Sequence, residues 1–391
     1  MRPSFTFPQF IFVILACHAA ATAEEVRVTD RDEFARALAT AKPGTTIFVA
    51  PGTYRGGLSR AGLRGTKDRP IVIAGSDPKN PPVIEGGGNA IQLSSPQHVV
   101  LRDFIFSKAT GNGLNIDDGG ADVDAPAQHV VLKNLVVHDV GPGGNRDGIK
   151  LSGVSNFRVE NCRALRWGSG GSAIDMVGCH DGVITGCTFA EATGDGANGV
   201  QAKGGSSQIV IQRCRFENAG GRAVNLGGST GLPYFRPRDA KYEAQDITVE
   251  DCTFLGGMSA IAFVGVDGAV VQHNTIYRPT RWAIRILQES TADRFVPCRN
   301  GRFVKNIVVF QEDEARQIVN IGGNTAPETF EFAANHWHCL DRPANTQRLV
   351  QLPTPEKEGI YAKPPGFKDA ASGELQIPGR KSEDAGVRDE S

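Results

Sequence analysis

Internal repetition restricts this fold more than any other feature of the chain. The segments "VLRDFIF" (100–106), "VLKNLVV" (131–137), "RVENCRA" (158–164) and "VITGCTF" (183–189) share one pattern. So do "VIQRCRF" (210–216), "TVEDCTF" (248–254), "VVQHNTI" (270–276) and "FVKNIVV" (303–309), with intervals between 22 and 38 residues. Each is followed by a second short run: "GLNI", "GIKL", "AIDM", "GVQA", "AVNL", "AIAF", "AIRI" and "IVNI". A strand of about five residues cannot bury its own apolar face. Stacking each turn on its neighbour buries it, because inward side chains then form continuous columns. Two or three strands per turn at this period fit a parallel β-helix. A propeller blade needs four antiparallel strands, and a leucine-rich repeat needs a Leu consensus.

One aligned column reads Phe104, Leu135, Cys162, Cys187, Cys214, Cys252, Asn274, Ile307. Four cysteines on consecutive turns, about 4.8 Å apart, read as small buried hydrophobes rather than metal ligands. Asn274 reads as a ladder residue whose amide bonds its neighbours. Cys298 and Cys339 are left as candidates for a disulfide, and Cys179 has no evident partner.

The first residues, "MRPSFTFPQFIFVILACHAAATAEE", carry one Arg, a short apolar run and the small-residue pattern Ala21-Thr22-Ala23. They read as a signal peptide over 1–23, giving a secreted or periplasmic protein. A lipoprotein anchored through Cys17 is the alternative. No later segment is long enough for a transmembrane span. Residues 24–98 read as an N-terminal cap with one short amphipathic helix and the first turns. Residues 99–323 hold the repeats, and 324–391 form a closing segment with a mobile tail. With 42 basic and 43 acidic residues, nothing in the charge balance suggests a nucleic-acid partner, which usually needs a basic face.

"GTTIFVAPGTYRGG", followed by stacked V-x-x-C/N-x-F and G-I/V-x-L units, resembles the secreted right-handed parallel β-helix proteins of the pectate-lyase-like superfamily. The ending "PGFKDAASGELQIPGRKSEDAG" is similar to the tail common in them. The resemblance implies an all-β, right-handed, single-stranded parallel β-helix with a short N-terminal capping helix. For activity it implies less, since the fold hosts lyases, hydrolases, esterases, epimerases and adhesins.

In a strand written G-I-K-L, the residue between the apolar pair points outward. The outward column of the second strands is Asn115, Lys150, Asp175, Gln201, Asn225, Ala262, Arg285, Asn320. The next outward position includes Asp117, Lys203 and Val264, and residues just before the strands add Asp147 and Arg222. This polar block reads as a sugar-binding floor, since in the resembling lyases the substrate groove runs along one such sheet. The insertion 227–245 is expected to overhang it with Tyr234, Phe235 and Arg236, and Trp282 and Arg285 extend it.

Uronic-acid polymers are cleaved by β-elimination, which needs an unprotonated base and a neutralised carboxylate. Lys203 and Lys150 are the candidate bases. "NRDGIKLSG" is similar to the "GFKLGG"-type segment that carries the base lysine of one pectate-lyase family, and this match transfers only Lys150. Arg222 or Arg236 would neutralise the carboxylate, with Gln201, Asn225, Tyr234, Trp282 and Arg285 binding sugar. Asp147, Asp175 and Asp195 are candidate ligands for Ca²⁺, which binds through hard oxygens. The close acidic cluster of the best-known pectate lyases is absent, so Ca²⁺ or no cofactor both stand. The acidic loop 117–125 is a further Ca²⁺ candidate, or simply solvated. The reading is a monomeric, exported lyase of a uronate-containing, acidic polysaccharide. A glycoside hydrolase and a non-catalytic carbohydrate-binding or cell-surface solenoid are the alternatives. Outward lysines and aspartates on a solenoid also occur as solubility residues, and Lys150 beside Asp175 as a surface ion pair worth little.

Overall fold

The computed structural model describes residues 24–120, 127–378 and 384–388. The expected signal segment, Cys17 and residues 121–125 of the acidic loop lie outside the described residues. Three parallel sheets of 13, 10 and 12 strands run the length of the molecule. One turn comprises Gln97–Arg102 in the first sheet, Ile105–Ser107 in the second and Leu114–Asp117 in the third. The next turn repeats the three in register. Alternation explains the section: in Ser206–Gln212 the residues Ile209 and Ile211 are fully buried, and their neighbours face out. Each such side chain contributes roughly 1.5–3 kcal/mol by leaving water.

Helix Arg31–Thr40 covers the open end of the stack. Asp30 caps it, accepting hydrogen bonds from the Asp32 and Glu33 amides at 2.9 and 2.8 Å. Its buried face is Phe34, Ala37 and Leu38, and Phe34 stacks on Phe104 at 6.2 Å.

At the corner between first and second sheets, the residue before each column position has positive φ, as in Asn161 (+53°) and His273 (+54°). That geometry points the column side chains into the core. The cysteines there are free and buried. The Cys162 amide donates to Cys187 Sγ at 3.4 Å, and the Cys214 amide does so to Cys252 Sγ. From Asn274 onward side-chain amides replace sulfur: Asn274 Nδ2 donates to Asn306 Oδ1 at 3.0 Å, and Asn306 Nδ2 to Asn335 Oδ1 at 3.1 Å.

This ladder corrects the sequence alignment by one residue. Thr275 pairs with Ile307, so Asn306 rather than Ile307 continues the column. It also carries the repeat past residue 324, into strands Glu331–Ala333 and His336–Cys339. The expected Cys298–Cys339 bridge does not exist. Both thiols are free and buried, at different corners. Cys298 bridges to Thr325 beside the first sheet, whereas Cys339 ends a strand of the second. The closing segment is not wholly loose either. Residues 384–388 lie on the stack, with the Gly386 amide on Lys305 O at 2.7 Å and the Arg388 Nε on Asp251 at 2.9 Å. Among the described residues no helix is long and apolar enough to cross a membrane.

Candidate active site

The third sheet aligns the outward column as its alternation requires. Asn115, Lys150, Asp175, Gln201, Asn225, Ala262, Arg285 and Asn320 pair in unbroken register. Although they face outward, several are covered: Asp175 and Asn225 are each 1% exposed and Ala262 is 0%. Two insertions, 228–243 and 288–298, follow strands of this sheet, and the first begins at Gly228, close to Gln201 and Asn225.

Within this face the predicted residues separate into two groups. Lys203, Gln201, Asn225, Arg222, Arg285 and Asp195 line one polar cleft of about 420 Å³. Lys203 Nζ donates to Gln201 Oε1 at 3.2 Å, and Gln201 Nε2 donates to Gly227 O at 3.3 Å. Arg222 donates to Asn225 Oδ1 at 3.3 Å and pairs with Glu289 at 2.5 Å. Asn225 Nδ2 is buried and has no hydrogen-bond partner among the described residues. An unmatched buried donor is costly, so this amide is well placed to receive a ligand oxygen.

The second group is an ion network toward the first turns. Lys150 is hydrogen-bonded to Asp175 and lies 3.6 Å from Asp147. Lys203 approaches the other Asp175 oxygen at 3.5 Å. Burial, then the neighbouring Asp175 carboxylate, raises the Asp147 pKa to about 6, against the pull of Lys150 and the Ser172 amide. Burial alone would lower Lys150, but Asp175 and Asp147 outweigh it and its pKa is raised. A lysine holding its proton this firmly is a poor base. The pair is therefore no loose surface contact but a partly buried anchor.

The three aspartates do not form one cluster. Asp147 and Asp175 converge on the Lys150 ammonium, while Asp195 stands at the cleft. Ca²⁺ takes six to eight oxygen ligands, and an ammonium already sits between the two carboxylates, so these residues do not fit the ion. Among the described residues no three His, Cys, Asp or Glu side chains are grouped to hold a metal. In the acidic loop, Asp117 accepts from Asn115 Nδ2 at 2.8 Å and Asp118 pairs with Arg236.

The insertion 228–243 does border the cleft, through Ser229, but not through the residues expected. Arg236 is turned away onto Asp118, and Tyr234 is solvent-exposed on the turn Leu232–Tyr234. Phe235 is buried against Phe295 at 5.3 Å. Trp282 lies outside the cleft lining, its ring sandwiched by the Arg281 and Arg285 guanidiniums at 4.1 and 4.3 Å.

Two glutamates went unread in the sequence. Glu289 lines the cleft from the second insertion. Glu243, fully buried, accepts from the Gly204 and Thr230 amides at 2.9 Å each and from the Thr230 and Ser290 hydroxyls. It thus ties together the segments bearing Lys203, Ser229 and Glu289. Their only signal was the long interval after strands 222–227 and 282–287. A larger cavity, about 720 Å³, lies at the corner of the first and second sheets, away from this chemistry. Its charges include the matched pairs Arg388–Asp251 and Lys368–Glu374.

Residues 83–239 match a family model described as a right-handed β-helix region. Among solved structures, the chain is similar to an alginate lyase from Paenibacillus sp. str. FPU-7, with 18% identity and a TM-score of 0.53 over 78% of this chain and 99% of that one. It is similar to pectate lyase Pel9A at 14% identity and a TM-score of 0.54, covering 81% and 80%. A family 6 polysaccharide lyase from Pseudopedobacter saltans gives 13% identity and a TM-score of 0.54, covering 93% and 99%. No curated protein matches by sequence. The fold is the right-handed parallel β-helix, which these structural neighbours, all polysaccharide lyases, share.

Proposed function

We propose that the protein is an exported lyase that cleaves a uronate-containing polysaccharide by β-elimination in the third-sheet cleft. The observation that carries this reading is the convergence of Lys203, Arg222 and the unmatched Asn225 amide on one polar cleft. Arg222 and Asn225 Nδ2 meet the uronate carboxylate, which lowers the cost of charge building up beside it. Lys203 Nζ, in the same cleft, takes the proton from the carbon bearing that carboxylate. The electron pair forms the carbon–carbon double bond and the glycosidic C–O bond breaks. Lys203 then lies in the same cleft to return the proton to the departing oxygen. Lys150 holds Asp147 and Asp175 in place and takes no part in proton transfer. Polysaccharide lyases with the same fold support the reaction class. A hydrolase reading has less support, because it needs two carboxylates across the bond: of those near the cleft, Asp147 and Asp175 are engaged by Lys150 and Glu289 by Arg222, which leaves Asp195.

The test is ultraviolet absorbance of the unsaturated product on pectate, alginate, chondroitin and heparin-type polymers, with and without chelator. A rise lost in Lys203→Ala is the expected result. Reducing ends without absorbance would replace the lyase by a hydrolase, and no product on the panel would leave a binding protein.

A further inference from the structure

We propose that the Glu289–Arg222 ion pair is a crossbar that ends the groove, so that the protein takes an acidic polysaccharide chain by its end rather than astride its middle. The inference rests on the reading that this cleft binds such a polymer.

The geometry is that of a bridge across a sheet. Arg222 opens strand Arg222–Gly227, so it stands at the N-terminal edge of the third sheet. Glu289 follows strand Trp282–Leu287 by two residues and stands at the C-terminal edge. Between these strands lies Ser259–Val264, paired to both. The ion pair at 2.5 Å therefore crosses above that strand. Ala262, in the middle of that strand and outward in the column with only a methyl group, is 0% exposed. Arg285, at the end wall of the cleft, lies over Trp282 and bonds Asn320 at 3.1 Å, which fills the next turns of the floor.

Toward the first turns the face stays open. A second depression of about 360 Å³ continues it at Asn89, Asn112 and Arg146. From strand Ile91–Ser94, which follows Asn89, to Arg222 there are five strand steps, about 24 Å at ~4.8 Å each. A polymer lying in this direction has room for several sugars on one side of Lys203 and almost none on the other. Glu289 is then a specificity-determining residue: its bond to Arg222 holds the bar in place across the path of a chain that would run past it.

Binding stoichiometry tests this without requiring turnover. Lys203→Ala protein is titrated into short and long fractions of alginate and of polygalacturonate, and protein bound per chain is measured by sedimentation. An end-binder gives the same number per chain for both lengths. Adding Glu289→Ala should make that number rise severalfold on the long fraction, while Glu289→Gln, which can still bond Arg222, should behave as the parent. A parent whose occupancy grows with chain length, a Glu289→Ala protein that is unchanged, or no binding to either polymer overturns the crossbar. If no unsaturated product ever forms but one protein still binds per chain, the lyase reading fails and the crossbar stands.

Discussion

Lys203 Nζ stands 3.5 Å from Asp175 Oδ1, a buried oxygen with no hydrogen-bond partner among the described residues, while Lys150 holds the other oxygen of that carboxylate. One carboxylate thus separates two lysines with different work. Removing Lys150 leaves Asp147 buried without its ion-pair partner and Asp175 with Lys203 alone, a loss of up to about 3–5 kcal/mol. Lys150→Ala should therefore shift the urea midpoint strongly. Lys203→Ala should abolish turnover and shift the midpoint far less. Denaturation curves beside initial rates separate the two roles.

Asp147 gives a pH prediction with a definite sign. Its folded pKa, about 6, lies above the ordinary carboxylate value of 3.8. Below pH ~4 it is protonated in both states. Between pH ~4 and 6 the unfolded chain has lost a proton the folded one keeps, so its contribution to stability is lost as pH rises, by roughly 3 kcal/mol in all. Asp147→Asn should remove this component. The difference in Tm between wild type and variant, followed over that window, measures it.

Gly228, next to the cleft residue Ser229, leaves room for two others by having no side chain. Its φ is +148°, and a Cβ there would meet Gln201 Nε2 at 2.5 Å and Lys203 Cδ at 3.4 Å. Gly228→Ala should disturb the Lys203–Gln201 hydrogen bond, lowering kcat/KM by about tenfold or more, equivalent to ~1.4 kcal/mol. Steady-state kinetics with a Tm measurement would show whether the loss is local.

The asparagine ladder should be the most sensitive polar element of the core. Asn306 accepts from the Asn274 backbone amide at 3.0 Å and donates to Val271 O and Val304 O at 2.9 and 3.0 Å. Asn306→Ala strands several buried backbone groups, at about 1–3 kcal/mol each. Asn306→Cys, which reproduces the substitution present two turns earlier at Cys252, should recover part of that loss. Chemical denaturation of both variants checks the order.

Most of the stack was legible because its cause is local. Alternation in strands such as 210–216 and 223–226 dictates which side chains turn inward, and stacking then dictates which outward residues are neighbours. That reasoning placed Lys150 against Asp175 and Gln201 against Asn225. It slipped at Ile307 because an apolar residue suits a core column by periodicity, whereas Asn306 was placed there by amide-to-amide bonding that periodicity does not encode. The insertions were opaque for a related reason. Nothing repetitive says that Arg236 turns toward Asp118, that Phe235 is buried, or that Glu289 reaches back to Arg222. Their positions follow from contacts between segments far apart in the chain, among them the carboxylate of Glu243.

The fastening of residues 384–388 changes how the whole stack must come apart. A solenoid with two free ends can peel one turn at a time, since each turn touches only its neighbours. Here Arg388 grips Asp251 across 137 residues of chain, and the Val387 amide lies on the Thr275 hydroxyl. Peeling the last turns past Asn306 and Asn335 therefore first requires release of a clasp on the middle of the molecule. The consequence is a longer cooperative unit: the final turns and the central ones should exchange their amide protons together rather than in sequence from the end.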